Sequence, residues 1–176
     1  MRLQLDCIMS PIGEVLLACD AEGRLRALDF HDYEHRMRQL LRLHYGAFEL
    51  VSGPAPDAIT APLRAYFAGD QAALAAIAVE TGGTLFQRSV WAALRRIPPG
   101  VTTTYGALAA TIGRPRAVRA VGLANGANPV SVVVPCHRVI GSDGALTGFG
   151  GGLHRKRWLL EHEGVALKPE RQAMLV

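Results

Sequence analysis

The sequence has no apolar run approaching the roughly 20 residues that would span a bilayer. Its opening, "MRLQLDCIMSPIGEVLL", alternates apolar and polar residues and lacks the unbroken hydrophobic core of a signal peptide. The expectation is therefore a cytoplasmic protein with no membrane partner. Cysteine is scarce: Cys7, Cys19 and Cys136 form an odd set with no CxxC spacing. That argues against a disulfide framework and a zinc finger, and it suits a reducing compartment. Carboxylates are missing from one long stretch. None lies between Glu80 and Asp143, whereas Arg88, Arg95, Arg96, Arg114, Arg116, Arg119 and Arg138 all fall there. Residues 1–83 carry 7 Lys/Arg against 11 Asp/Glu, a balance of −4, and residues 84–176 carry 12 against 4, a balance of +8. A basic half joined to an acidic half fits either a polyanion bound by the second half or a solvated basic face.

What is present reads as an ordinary globular chain, long enough for one domain or two small ones. "RLQLDCIM", "GEVLLACD" and "RLRALDFH" are short strand-like runs separated by "SPIG" and "DAEG", which supply turns. A helix fits 33–45, with Tyr33, Met37, Leu40, Leu41 and His44 at helical steps and Gly46 as its stop. A second fits 58–68, with Ile59, Leu63, Tyr66 and Phe67 on one face before Gly69. "ETGGT" coincides with the change in charge, so a supporting domain is placed at 1–80 and a second domain at 84–170.

The second half opens with a capping-box pattern, Thr84 with Gln87 three residues on, ahead of the stripe Phe86, Val90, Trp91 and Leu94. "YGALAATI" and "RAVRAVGLANG", joined by "GRP", have the outline of a helix-turn-helix. On the second of these helices Ala117, Ala120, Val121 and Ala124 share one face, with Arg119 nearly opposite. That arginine is either an ordinary surface cation or one long enough to reach between base pairs.

In "SVVVPCHRVIG" the valines read as a buried strand that Pro135 terminates, bringing out Cys136 at its end. His137 and Arg138 are expected to lower the thiol pKa from its free value of about 8.5. The glycine-rich "VIGSDGALTGFGGG" that follows lets backbone approach a ligand closely. A lone cysteine is most often a small core hydrophobe, and the spacing alone does not say which acid meets the histidine.

"PCHRVIG", with Asn128-Pro129 upstream and "GGGLHRKRWLLEHEG" downstream, resembles the active-site region of the O6-alkylguanine-DNA alkyltransferases (methylated-DNA–protein-cysteine methyltransferases). With "TTYGALA" and "RAVRAVGLANGANP" the resemblance runs from about residue 84 to 164, and "SPIGEVLLA" resembles the family's opening more loosely. It implies an α+β fold: an N-terminal ribonuclease-H-like small antiparallel sheet with helices, then a C-terminal winged-helix domain containing the helix-turn-helix. It also implies DNA repair by direct damage reversal, a base-flipping, single-turnover transfer of an alkyl group from guanine O6 to the protein's own cysteine. O4 of thymine is a second site that the resemblance leaves open. The implied partner is double-stranded DNA containing O6-alkylguanine, bound by a monomer with no obligatory protein partner and no cofactor.

By the same resemblance Cys136 is the nucleophile, His137 takes its proton through a water, and Glu163 orients that histidine. Tyr105 gives its hydroxyl hydrogen to the purine, and Asn128 braces the turn carrying the cysteine. Arg119 fills the gap left by the flipped base, with Tyr105, Arg116, Ala120 and Gly122 beside it on the DNA. Pro135, Val139, Phe149, Gly150 and Gly151 line the pocket for that base. Each has a plainer alternative: Tyr105 packing between helices, Glu163 as a helix-end charge beside Arg157, Asn128 as a common turn residue. Some family members hold a structural zinc, but Cys7, Cys19 and His31 do not sit where it is expected, so no metal is expected. Phe149 stands where the family often has tyrosine. Rival classes are a lesion binder without chemistry, a cysteine hydrolase, and a regulator that uses the helix-turn-helix alone.

Overall fold

The alternating opening forms a hairpin. β1 (Arg2–Ser10) and β2 (Gly13–Cys19) pair antiparallel across a tight turn in which Ser10 Oγ donates to the Gly13 carbonyl at 2.6 Å. Gly13 takes φ +113°, a conformation that an L side chain rarely adopts. β3 (Leu25–Phe30) adds antiparallel to β2. This computed structural model describes residues 1–169, so the expected domain end at residue 170 lies outside the described residues.

α1 (Glu34–Tyr45) covers one face of the sheet, burying Met37 and Leu41 against Leu3, Leu16, Ala18 and Ala27, and Gly46 stops it at φ +71°. The chain then returns as β4 (Glu49–Ser52), which joins β1 in parallel. The sheet order is β3-β2-β1-β4. The expectation of an antiparallel sheet is thus corrected to a mixed one, because the α1 crossover delivers a short half-exposed edge strand. α2 (Asp57–Phe67) packs Ile59, Leu63 and Tyr66 into the main core.

α3 (Leu85–Arg95) begins at the expected capping box: Thr84 Oγ1 accepts from the Gln87 amide and the Gln87 side chain accepts from the Thr84 amide. It packs against α4 (Tyr105–Thr111) and α5 (Val118–Gly126), which are mutually packed as a helix-turn-helix. β5 (Thr103–Thr104) pairs with β6 (Val139–Ile140), and α6 (Leu153–His162) closes the fold. One apolar core runs through both halves, from Val15 and Phe30 to Trp91, Cys136 and Leu159. β3 also reaches across: the Leu28 amide donates to the Pro129 carbonyl and the Ser131 amide donates to the Leu28 carbonyl, each at 3.0 Å. The sheet therefore holds the segment leading into the cysteine.

That segment is not the strand the valines suggested. Residues 131–134 form a buried turn, with the Val134 amide bonded to the Val130 carbonyl and Val132 at φ +71°. A β-branched residue in the left-handed region is strained by about 1–3 kcal/mol. The turn is sustained because Val132, Val133 and Val134 are all buried.

Candidate active site

The turn is braced from inside. Asn128, fully buried, donates from Nδ2 to the Val134 carbonyl at 2.7 Å and accepts at Oδ1 from the Val130 amide at 2.9 Å. One amide side chain thus spans the whole turn. The chain leaves it as a short 3-10 turn, Cys136–Arg138. At three residues per turn, consecutive side chains point in three different directions. Cys136, His137 and Arg138 accordingly meet different surroundings.

His137 is completely buried, and its Nε2 lies 2.8 Å from Glu163 Oε1. Glu163 also receives Arg138 Nε on Oε2 at 3.0 Å and Arg138 Nη2 on Oε1 at 2.8 Å. Burial would raise the Glu163 carboxyl, but hydrogen bonds and charge from His137 and Arg138 win and hold it well below the usual carboxylate range. An ionised carboxylate only accepts, so Nε2 of His137 carries the hydrogen. Burial outweighs the pull of Glu163 and lowers the His137 pKa, so the imidazole is neutral at pH 7. Its Nδ1 has no hydrogen-bond partner among the described residues.

The Cys136 thiol is 5% exposed. Burial raises its pKa, opposed by a hydrogen bond from Asn128 and by the charges of Arg36 and Lys156. Here the expectation is corrected. Arg138 does not lower the thiol pKa, since it faces Glu163 and the Ile97 carbonyl, and His137 is neutral rather than cationic. The resting state has a protonated thiol and a neutral imidazole.

Lys156 of α6 is also fully buried, donating to the Val139 and Thr147 carbonyls at 2.6 and 2.7 Å and to Gly148 at 3.4 Å. It ties both ends of the loop that follows the cysteine. Tyr105, the first residue of α4, reaches the same loop: its hydroxyl lies 3.0 Å from Thr147 Oγ1 and 3.3 Å from the Thr147 carbonyl. Arg155 holds the Gly151 carbonyl at 3.0 Å while paired with Asp32. The loop is tightly packed at its last glycines. A Cβ at Gly151 would meet Phe30 and Phe149 at 2.7–2.9 Å, and one at Gly150 would meet Arg36 at 2.6 Å.

Two family models match the chain: the 6-O-methylguanine DNA methyltransferase ribonuclease-like domain over residues 5–81 and the DNA binding domain over residues 85–165. The chain belongs to this family. A relative from Salmonella typhimurium named methylated-DNA–protein-cysteine methyltransferase is 52% identical over 169 residues, covering 95% of this chain and 99% of that protein. A protein of the same name from Methanosarcina acetivorans is 44% identical over 155 residues, with 88% and 94% covered. The solved structure of Mycobacterium tuberculosis OGT in complex with DNA superposes with TM-score 0.75 at 40% identity, covering 93% of this chain and 92% of that one.

Of the residues the family resemblance pointed to, Cys136, His137, Glu163 and Asn128 come together in one buried cluster. Tyr105 is half-buried at the edge of the loop, and a Cβ on Gly122 would lie 3.7 Å from its ring. Arg116, Arg119 and Ala120 are exposed, and Leu123, one turn beyond Arg119, is 72% exposed. The buried face of α5 is Val121, Ala124 and Asn125, so Ala120 belongs to the outer face rather than with Val121.

Val139 and Gly151 are buried, and Phe149 and Gly150 are half-buried. Phe149 meets the His137 ring edge-on at 6.5 Å. Pro135 faces differently, lining a cavity of about 300 Å³ with Val133, Ile97, Arg95 and Arg138; neither Cys136 nor Phe149 lines it. Cavities of about 620 and 350 Å³ likewise lie away from the sulfur. Among the described residues no cluster of three or more His, Cys, Asp or Glu side chains is arranged to hold a metal, and no helix is long and apolar enough to cross a membrane.

Sequence reasoning missed four participants. Lys156 shares a helix face with Leu159, Leu160 and Glu163, and a cation in such a stripe signals a buried contact. Asn125 donates towards the Cys136 carbonyl at 3.5 Å. Arg36 pairs with buried Asp29 and binds the Gly126 and Asn128 carbonyls at 2.7 and 3.0 Å. Tyr66 was placed in a core stripe, but a buried phenol also needs a polar partner.

Proposed function

We propose that this protein repairs DNA directly, moving a methyl or larger alkyl group from O6 of guanine in duplex DNA onto Cys136, once per molecule. The observation that supports the assignment to Cys136 is the buried His137–Glu163 pair that follows it directly in the chain. One nitrogen of the His137 ring is fixed on Glu163 and the other has no hydrogen-bond partner among the described residues. Exposed Arg114 and Arg116 bind phosphates and direct α5 into the groove, where exposed Arg119 fills the space of the extruded nucleotide. The protein works as a monomer in the cytoplasm, where a reducing milieu keeps its three free cysteines as thiols.

In the transfer, the thiol proton passes through a water to Nδ1 of His137. The sulfur forms a bond to the alkyl carbon as the bond from that carbon to O6 breaks, leaving its electron pair on the purine. The Tyr105 phenol gives that purine a proton. His137 then returns its proton to solvent and the phenolate regains one, so the net products are guanine and a thioether. No group remains to break the carbon–sulfur bond, which makes the reaction stoichiometric.

The test is incubation with duplex DNA carrying an isotopically labelled methyl on guanine O6, followed by mass spectrometry of the protein. The expected result is one methyl per molecule, on Cys136, and none on Cys136→Ser. Label that stays on DNA to which the protein binds would instead make it a lesion binder.

A further inference from the structure

Glu163 has a fourth contact, and it comes from the other half of the chain. Tyr66, on the last turn of α2, is fully buried and donates its hydroxyl to Glu163 Oε1 at 2.8 Å. The same oxygen receives His137 Nε2 and Arg138 Nη2, both at 2.8 Å, whereas Oε2 receives only Arg138 Nε at 3.0 Å. A carboxylate oxygen offers about two lone-pair sites, so three donors on Oε1 compete for its charge. What Tyr66 takes, His137 does not have.

The phenol is held in place for this. Its ring packs edge-on against Phe67 at 5.3 Å and His162 at 5.2 Å, and the His162 Nε2 hydrogen-bonds the Tyr66 carbonyl at 2.7 Å. Gln71 donates to the His162 carbonyl at 2.7 Å. Tyr66 is thus tied to the end of α6, the helix that Glu163 follows. Burial first, then the neighbouring carboxylate charge, keeps the phenol far above its ordinary pKa, so it acts as a donor at every working pH.

We propose that Tyr66 is a positioning residue of the relay: its phenol orients the Glu163 carboxylate and, by sharing Oε1, sets the basicity of His137. The inference rests on the alkyl-transfer reading of this site and gives the N-terminal half a part in the chemistry. The charged groups acting on His137 are Glu163, which raises its pKa, and Arg138 and Lys156, which lower it. The charge acting on Glu163 at neutral pH is that of Arg138, with His137 and Tyr66 as neutral donors. Tyr66→Phe leaves all of the charges in place and removes one hydrogen bond.

The test is the pH profile of methyl transfer to Cys136 in the wild type and in Tyr66→Phe, together with an NMR titration of the His137 ring in both proteins without DNA. Freed from competition, Oε1 binds His137 more strongly, so the imidazole stays protonated to higher pH. The acid limb should move up by about 0.5–1 pH unit, making transfer about three- to tenfold slower on that limb. The ring titration should move by the same amount. A second protein with 3-fluorotyrosine at position 66, a stronger donor, should move both the other way. An unmoved histidine midpoint in both variants overturns the proposal, even if Tyr66→Phe is less stable. If the wild type transfers no methyl at any pH, the functional reading fails, while the ring titration still decides whether Tyr66 tunes His137.

Discussion

Lys156 offers the sharpest quantitative test of the site. Its ammonium is fully buried against three backbone carbonyls, and burial, opposed by the nearby Cys136, pushes its pKa from 10.5 down to about 8. Over that interval the unfolded chain holds a proton that the folded chain has lost, so this group makes stability rise with pH. At about 1.4 kcal/mol per pH unit, the gain approaches about 3 kcal/mol by pH 10.5. Lys156→Met keeps the stem and removes the titration. At neutral pH the variant gives up two short charge-assisted bonds, each worth about 1.5–3 kcal/mol, and is relieved of a desolvated charge.

Urea unfolding of both proteins at several pH values between 8 and 10.5 measures the difference. The subtraction matters because Cys136 and Tyr66, both raised, push the other way in each protein. The stability of wild type relative to variant should climb steadily through that window, and hydrogen exchange at 139–148 should be faster in the variant at neutral pH. A flat difference from pH 8 to 10.5, with unchanged exchange in the loop, would refute the reasoning that a desolvated lysine ties the loop down.

Arg119→Ala should slow repair of duplex DNA by about 30- to 100-fold, the equivalent of about 2–3 kcal/mol of extrusion energy, and leave reaction with free O6-benzylguanine nearly unchanged. Equal losses on the two substrates would remove the intercalating role. Glu163→Gln leaves Arg138 as a buried charge without its counterion, which should cost about 3–5 kcal/mol in unfolding measurements and lower Tm by about 10 °C. Because the Glu163 pKa is depressed from 4.5, its stabilisation is complete above that pH and is lost as pH falls below it, so wild type and variant should converge in acid. Curves that stay parallel down to the acid transition would contradict the pairing.

Much of this architecture was legible in the residues. Thr84 with Gln87 marked the start of α3 because a capping box satisfies backbone donors locally. The stripes of α1 and α2 followed the helical period because each helix buries a single face. The failures share a cause. Three valines in a row carry strand propensity, but the Asn128 brace and the contacts from β3 fold them into a turn, which no local pattern encodes. Arg138 adjoins Cys136 in sequence yet serves Glu163, because a 3-10 turn sends neighbouring side chains apart. Lys156 and Tyr66 act only through partners that the fold brings from distant segments.

The buried sulfur of Cys136 has a consequence for the protein between encounters. Loss of a thiol to stray electrophiles or oxidants follows the thiolate and its access to solvent. Cys136 is only 5% exposed and its pKa is raised by burial, so both are small. Burial therefore acts as a safety catch, keeping this thiol from stray reaction while the protein is idle.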